Sequence, residues 1–263
     1  MKIDFVPKLT GVFGSPVAEN PTVLMMEAGY KALGLDNWKY LSLEVPLENL
    51  KDAISSLRTF NMKGIHLTIP HKVSVLEYLD EISSTAKTMG AVNTVMNIDG
   101  KLVGENTDGK GFMESLKKDA KVNPAGKNIV ILGAGGAARA ICVELAFANV
   151  DSITIINRST KRGEELAQLL FESSNVTVDF LPWDNLLSLP SDVDILVQAT
   201  SIGLYPNKEK PSINYDSLKP EILACDVIPN PPQTEFLQQA NSVGAKTLDG
   251  LGMLVYQGAL ALR

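Results

Sequence analysis

The sequence predicts an α/β fold in two domains, and three observations carry that prediction. Short apolar runs alternate with helical patterns along most of the 263 residues, as expected for largely parallel strands linked by helices. A glycine-rich turn, Gly133-Ala134-Gly135-Gly136-Ala137-Ala138, follows directly on an apolar run at 128–132 and opens a helical pattern. A polar stretch, Lys117-Lys118-Asp119-Ala120-Lys121, closed by Pro124 and Gly126, separates the two halves.

In the first half, strands fit residues 9–13, 38–45 and 64–69, and helices fit 22–33 and 47–60. The second helix carries Leu47, Leu50, Ile54 and Leu57 at helical spacing, with Pro46 at its entry. A strand pair at 91–97 and 101–103 is joined through Ile98-Asp99-Gly100, with Asp-Gly as the turn. In the second half the order is strand 128–132, helix 137–148, strand 152–156 and helix 161–171. Strands at 176–180, 195–198 and 223–227 follow, and that succession is the mononucleotide-binding wind of a Rossmann domain. The last helical pattern, 253–262, is expected to pack back on the first domain. The expected division is therefore 1–107 plus 242–263 for one domain and 108–241 for the other, with a cleft between them.

Composition excludes several classes. A content of 45% hydrophobic and 21% charged residues is globular, not disordered. A net charge of −6 argues against a nucleic-acid partner. Met1-Lys2-Ile3-Asp4 lacks the start of a signal peptide, and the apolar window 129–148 is interrupted by Arg139 and Glu144, so no membrane span is expected. Cys142 and Cys225 show no CxxC pairing and read as buried free thiols, which suits the cytoplasm.

The turn matches the dinucleotide fingerprint as Gly133-x-Gly135-x-x-Ala138. Gly133 permits the tight turn, Gly135 lets backbone approach a pyrophosphate, and Ala138 lets the helix pack closely. The helix N-terminus adds amides aimed at phosphate. The plainer alternative is a tight strand–helix turn and nothing more. The next strand runs into Asn157-Arg158-Ser159-Thr160-Lys161-Arg162 without the acidic residue that holds the ribose of NAD. Arg158 and Arg162 suit the extra phosphate of NADP. Alternatively they are a solvated helix start in which Arg162 and Glu165 pair.

Alternation puts Gly64, His66 and Thr68 on one strand face, the one expected to look into the cleft. Lys72 follows Pro70 at the start of a helical pattern, and a lysine can relay a proton when burial or neighbouring charge tunes it. Asp108 could hold it by a charged hydrogen bond and accept a substrate hydroxyl. A surface lysine and a capping aspartate remain the plain alternative, and spacing alone leaves both open.

Eight stretches taken together resemble the shikimate dehydrogenase family, which includes quinate/shikimate enzymes. They are Gly14-Ser15-Pro16-Val17, Thr68-Ile69-Pro70-His71-Lys72, Gly90-Ala91-Val92-Asn93-Thr94, Gly104-Glu105-Asn106-Thr107-Asp108-Gly109, the 133–137 turn, Asn157-Arg158-Ser159, Ala199-Thr200-Ser201-Ile202-Gly203, and Gly250-Leu251-Gly252-Met253-Leu254-Val255-Tyr256-Gln257. The resemblance implies an N-terminal three-layer α/β substrate domain and a Rossmann-type NADP-binding domain. It implies that Lys72 is the acid–base residue and Asp108 its partner, that Thr68, Asn93 and Gln257 touch substrate hydroxyls, and that Thr200, Val227 and Gly250 line the nicotinamide side. The reaction it implies is reversible reduction of 3-dehydroshikimate to shikimate, in aromatic amino-acid biosynthesis, by a monomer or homodimer with no metal.

The departures cluster on one function. Family members usually read G-x-P-V-x-H-S-x-S-P in the first loop, and the two serines hold the substrate carboxylate. This chain reads Gly14-Ser15-Pro16-Val17-Ala18-Glu19-Asn20-Pro21, which on that pattern is two residues shorter and without those serines. Pro229 stands where a tyrosine is usual, and His66 where an asparagine is usual. Hydrogen bonds to a charged group contribute about 1.5–3 kcal/mol each, so losing several weakens shikimate binding unless others replace them. Either His66 and Asn20 rebuild a carboxylate site, or the hydride chemistry is kept for quinate or another cyclic polyol. A non-catalytic NADP-binding sensor is the alternative from another class.

Overall fold

The computed structural model describes residues 5–184 and 186–262, so the Met1-Lys2-Ile3-Asp4 start lies outside the described residues. The chain forms two units: one runs through Thr107 and resumes at Gly258, and the other is Asp108–Gln257.

The first unit is built on β1 (Lys8–Gly14), α1 (Thr22–Ala32), β2 (Trp38–Glu44), α2 (Leu50–Thr59), β3 (Gly64–Leu67), α3 (His71–Ser74), β4 (Glu81–Ile82), α4 (Ser84–Met89), β5 (Thr94–Ile98) and β6 (Lys101–Glu105). Its sheet has the order β2-β1-β3-β5-β6-β4. β2, β1 and β3 run parallel, while β5 is antiparallel to both β3 and β6, so the sheet is mixed. β5 and β6 are joined by the expected hairpin: Asp99 and Gly100 both adopt positive φ, 51° and 90°, the geometry that matches strand twist in a two-residue turn. The predicted helix at 47–60 is split. Leu47 lies in a separate 3₁₀ turn and is half exposed, whereas Leu50, Ile54 and Leu57 are fully buried under the sheet. Each of those three contributes about 1.5–3 kcal/mol by burial. Ser83 caps α4 by accepting the Ala86 N–H, and Gly90 ends it at φ 62°.

The second unit comprises α5 (Asp108–Lys118), β7 (Asn128–Leu132), α6 (Gly136–Phe147), β8 (Ser152–Asn157), α7 (Thr160–Ser173), β9 (Thr177–Pro182), β10 (Ile195–Gln198), β11 (Leu223–Asp226), α8 (Glu235–Ser242), β12 (Lys246–Leu248) and most of α9 (Gly250–Ala261). Its sheet, β12-β11-β10-β7-β8-β9, is wholly parallel. The chain winds outward from β7 through β8 to β9, then returns to β10 on the other side of β7. The ends of β7 and β10 therefore mark the topological switch point, where open α/β sheets bind ligands.

The expected return to the first domain at residue 242 is corrected. β12 pairs with β11, and α9 is close-packed on α5, so the chain stays in the second unit as far as Gln257. A Cβ on Gly252 would lie 2.3 Å from both the Ser115 hydroxyl and the Asp119 carboxylate of α5, so only glycine permits that approach. Beyond it, Gly258 sits against Met25 of α1 in the first unit. Among the described residues no helix is long and apolar enough to cross a membrane.

Candidate functional site

The glycine turn lies at the switch point. Gly133 adopts φ +117°, and a Cβ there would stand 2.9 Å from the Ala199 carbonyl oxygen, so the residue must be glycine. Its N–H donates to the Ile156 carbonyl at 2.8 Å, fixing the turn to β8. Ala134 is buried beside it. Gly135 is the exposed N-cap of α6, and a Cβ there would meet nothing within 4 Å. Gly136 and Ala137 begin the helix, and Ala138 is fully buried against the sheet. A turn closed tightly at its first glycine, open at its second and followed by a helix N-terminus fits a dinucleotide pyrophosphate.

Asn157 ends β8 and its side-chain amide donates to the Ser159 carbonyl at 2.9 Å, shaping the corner. Ser159 caps α7. Arg158 and Arg162 are exposed, and their side chains make no hydrogen bond or ion pair with the described residues. Glu165 faces Arg139 instead, at 3.6 Å, so the alternative pairing with Arg162 does not form. On the other side of the turn, the Thr200 N–H and hydroxyl both donate to Gln198 Oε1 at 2.7 Å, and Thr200 lies beside Gly133. Gly250 abuts the backbone of Val227 and Ile228, where a Cβ would come within 2.6 Å. Thr200, Val227 and Gly250 thus cluster at the C-terminal edge of this sheet.

That edge holds a buried carboxyl that no motif in the sequence marks. Asp226 accepts the Thr234 hydroxyl at 2.7 Å and the Ile228 N–H at 3.0 Å, which pins the loop carrying Val227 and Pro229. Burial pushes its carboxyl up to about 6, against the lowering effect of those hydrogen bonds. A carboxyl whose folded value is raised stabilises the fold fully at low pH, and that contribution is lost as pH rises through about 6. The loss is on the order of 3 kcal/mol at neutrality. His71 works in the opposite sense: burial lowers its value, so its contribution is lost as pH falls below its ordinary range. Asp226→Asn removes the first effect only. Its melting temperature relative to the parent is expected to rise progressively from about pH 4 to about pH 7.5. A difference that does not change with pH would show that the carboxyl is not held up by burial.

In the first unit, the loop before α1 lies along the chain that follows β3. Ser15 N–H donates to the Ile69 carbonyl at 2.9 Å, and a Cβ on Gly14 would strike the Thr68 methyl at 2.2 Å. Thr68 lies past the end of β3, half-buried. Lys72 is half-buried in the short α3, and its carbonyl accepts the Val92 N–H at 2.8 Å, which brings the lysine turn to the segment bearing Asn93. Asn93 is buried. Its Nδ2 donates to the Thr107 hydroxyl at 3.0 Å, and its Oδ1 accepts the Thr107 N–H at 2.9 Å and the Thr94 hydroxyl at 3.0 Å. Asn93 therefore fixes the chain that leads into Asp108.

His66 is buried, and its Nδ1 is 2.8 Å from the Tyr40 hydroxyl on β2, which lies beyond β1 in the sheet. Burial raises the Tyr40 phenol well above its ordinary value, so it stays protonated. Asn20 Oδ1 accepts both the N–H and the hydroxyl of Thr22, at the start of α1. An ungapped count corrects the reading of a shortened loop. Counted from Gly14 without a gap, Asn20 and Thr22 occupy the two serine positions, and Pro21 lies between them. Tyr40, Thr22 and Thr107 are partners of candidate residues that sequence reasoning does not find; only Thr22 carries a signal, in that count.

Asp108 and Gln257 belong to the second unit, both buried. Asp108 begins α5, and one turn on, a Cβ at Gly111 would lie 2.8 Å from the backbone and Cβ of Gln257. Two glycines make this crossing possible, since Gly109 likewise lets α5 approach the Ala140 carbonyl of α6. The Gln257 amide donates to the Leu254 carbonyl at 3.0 Å.

With that geometry in hand, known proteins give a consistent answer. Residues 12–95 match the shikimate dehydrogenase substrate binding domain, and residues 115–251 match the shikimate / quinate 5-dehydrogenase family. A shikimate dehydrogenase (NADP(+)) of Desulforamulus reducens is 43% identical, covering 99% of this chain and 90% of that protein. The ligand-free 5-ketofructose reductase of Gluconobacter sp. strain CHM43 is 48% identical with a TM-score of 0.87, over 98% of this chain and 92% of that one. The shikimate 5-dehydrogenase of Thermus thermophilus, in complex with NADP(H) and shikimate, is 34% identical with a TM-score of 0.86, over 97% and 92%. A substrate-domain match and a dehydrogenase match, in that order along a chain whose relatives align over nearly their whole length, leave one assignment: the chain belongs to the shikimate/quinate dehydrogenase family.

Proposed function

We propose that this chain is an NADP(H)-dependent oxidoreductase of the shikimate dehydrogenase type, interconverting a ring ketone and its secondary alcohol. The curated relatives are named for shikimate, which makes 3-dehydroshikimate and shikimate the first substrate pair to test. The observation that carries the reading is the joint presence of Lys72, Asp108, Asn93, Thr68 and Gln257 in a chain with a complete glycine turn. A protein that only bound the dinucleotide would need the turn and none of the five.

NADPH, when bound, supplies the hydride. Lys72 gives a proton to the carbonyl oxygen in reduction and takes it back in oxidation. Asp108 accepts a substrate hydroxyl, and Asn93, Thr68 and Gln257 orient the ring. Arg158 and Arg162 hold the 2′-phosphate. Replacing Arg158 by alanine is expected to raise the KM for NADPH by about tenfold or more while changing that for NADH little, since one charged hydrogen-bond pair contributes about 1.5–3 kcal/mol. An unchanged NADPH/NADH ratio would remove the phosphate-recognition role. The cytoplasm suits this reaction, and both buried free thiols accord with a reducing compartment.

A second substrate reading is a neutral cyclic polyol. It is favoured by the altered first loop and by the 48% identity to a 5-ketofructose reductase. The test is NADPH consumption with 3-dehydroshikimate, 3-dehydroquinate and 5-ketofructose, repeated with NADH. NADPH-linked turnover of at least one is expected. Tight NADPH binding without turnover of any would mean a sensor.

A further inference from the structure

The two serine positions of the family pattern carry Asn20 and Thr22, and their hydrogen bonding is settled by a backbone group. The Thr22 N–H can only donate, and it points at Asn20 at 3.0 Å, so the amide oxygen faces Thr22 and the Nδ2 faces away. The Thr22 hydroxyl donates to that same oxygen. The pair therefore retains the Asn20 Nδ2 amino group, which only donates, and lone pairs on Thr22 Oγ1, a donor beside an acceptor. A carboxylate only accepts: it can take the Asn20 N–H groups, but at Thr22 it meets lone pairs where the family pattern supplies a second hydroxyl donor. An alcohol O–H both donates and accepts, and it matches the pair.

The rest of the loop points the same way. The Ser15 hydroxyl and the Val17 N–H, two further donors, are both committed to the Glu44 carboxylate, at 2.8 and 3.1 Å. Glu44 thus places a negative charge at the base of the loop, and Glu19 adds another on its exposed side. His66 Nδ1 is engaged by Tyr40.

We propose that the first loop recognises an uncharged hydroxyl, so the substrate class is a neutral, polyhydroxylated ring ketone, with Asn20 and Thr22 as specificity-determining residues. This rests on the hydride-transfer reading and narrows its substrate. The hydroxyl donor at Thr22 and the tyrosine replaced by Pro229 are both missing, and two hydrogen bonds to a charged group correspond to about a 100-fold discrimination or more.

The experiment compares kcat/KM with NADPH for the neutral keto-sugar of the panel and for 3-dehydroshikimate. The parent protein is expected to favour the neutral substrate by about 100-fold or more. The double variant Asn20→Ser/Thr22→Ser is expected to lower the KM for 3-dehydroshikimate by about tenfold and to raise that for the neutral substrate, with NADPH affinity unchanged as the measure of folding. Asn20→Asp, which swaps the donor for an acceptor at constant shape, is expected to lose about tenfold or more on the neutral substrate and stands in if the double variant does not fold. A parent preference for 3-dehydroshikimate would overturn the inference and leave the reaction intact. An unchanged substrate ratio in a variant that binds NADPH normally would overturn it too. Failure of both substrates in the parent would remove the reaction reading and this inference with it.

Discussion

Lys72→Ala is expected to lower kcat by on the order of 10²–10⁴-fold while NADPH binding stays within about twofold, because general acid–base groups contribute that much and touch the cofactor little. The structure makes the separation credible. Lys72 lies in the first unit, on a short helix whose carbonyl bonds to Val92, while the glycine turn is built entirely within the second. Removing the side chain beyond Cβ leaves that backbone bond in place. The measurement is steady-state turnover alongside fluorescence titration of NADPH. Equal loss of turnover and of cofactor affinity would assign Lys72 a structural part and remove its proton-transfer role.

Gly133→Ala is expected to have the other large effect, here on stability and cofactor affinity together. At φ +117° an L side chain is strained by about 1–3 kcal/mol, and its Cβ would also press on the Ala199 carbonyl at 2.9 Å. That oxygen belongs to backbone that follows β10, so the strain cannot be relieved by a side-chain turn. Gly135→Ala provides the contrast. Its Cβ meets nothing in the protein, so the melting temperature should hold while NADPH affinity falls, because the methyl occupies the approach path of the pyrophosphate. Should both variants lose stability equally, the assignment of separate tasks to the two glycines is wrong.

These two predictions draw on parts of the molecule that are unequally legible in the sequence. β7 and β10 begin and end where the apolar runs predict, and the turn between β7 and α6 is readable residue by residue, because a strand–glycine–helix junction is a local pattern. α5 is not recognisable in the same way. Its glycines and its polar end at Lys117 and Lys118 read as a linker, whereas Gly109 and Gly111 serve close packing against Ala140 and Gln257, which no local rule reveals. The same holds for the return of the chain. The pairing of β12 with β11 and the approach of Gly252 to Ser115 decide where the second unit ends, and both are long-range.

The candidate site divides along the same line. Residue types with a stated chemistry, Lys72, Asp108 and the glycine turn, are nameable because each lies in a motif. Their supports are not, since Tyr40 reaches His66 across 26 residues and Thr107 reaches Asn93 across 14. The first loop misleads for a different reason. Asn20-Pro21 imitates the close of the serine motif, which displaces the register, and an ungapped count from Gly14 restores it.

The measurement that bears most directly on the central claim uses NADPH deuterated at both C4 positions of the nicotinamide with a ring ketone that the protein turns over. The account requires the alcohol product to carry deuterium at the former carbonyl carbon, formed by the parent and at a severely reduced rate by Lys72→Ala. An unlabelled alcohol, or label transfer at the parental rate without Lys72, would contradict it.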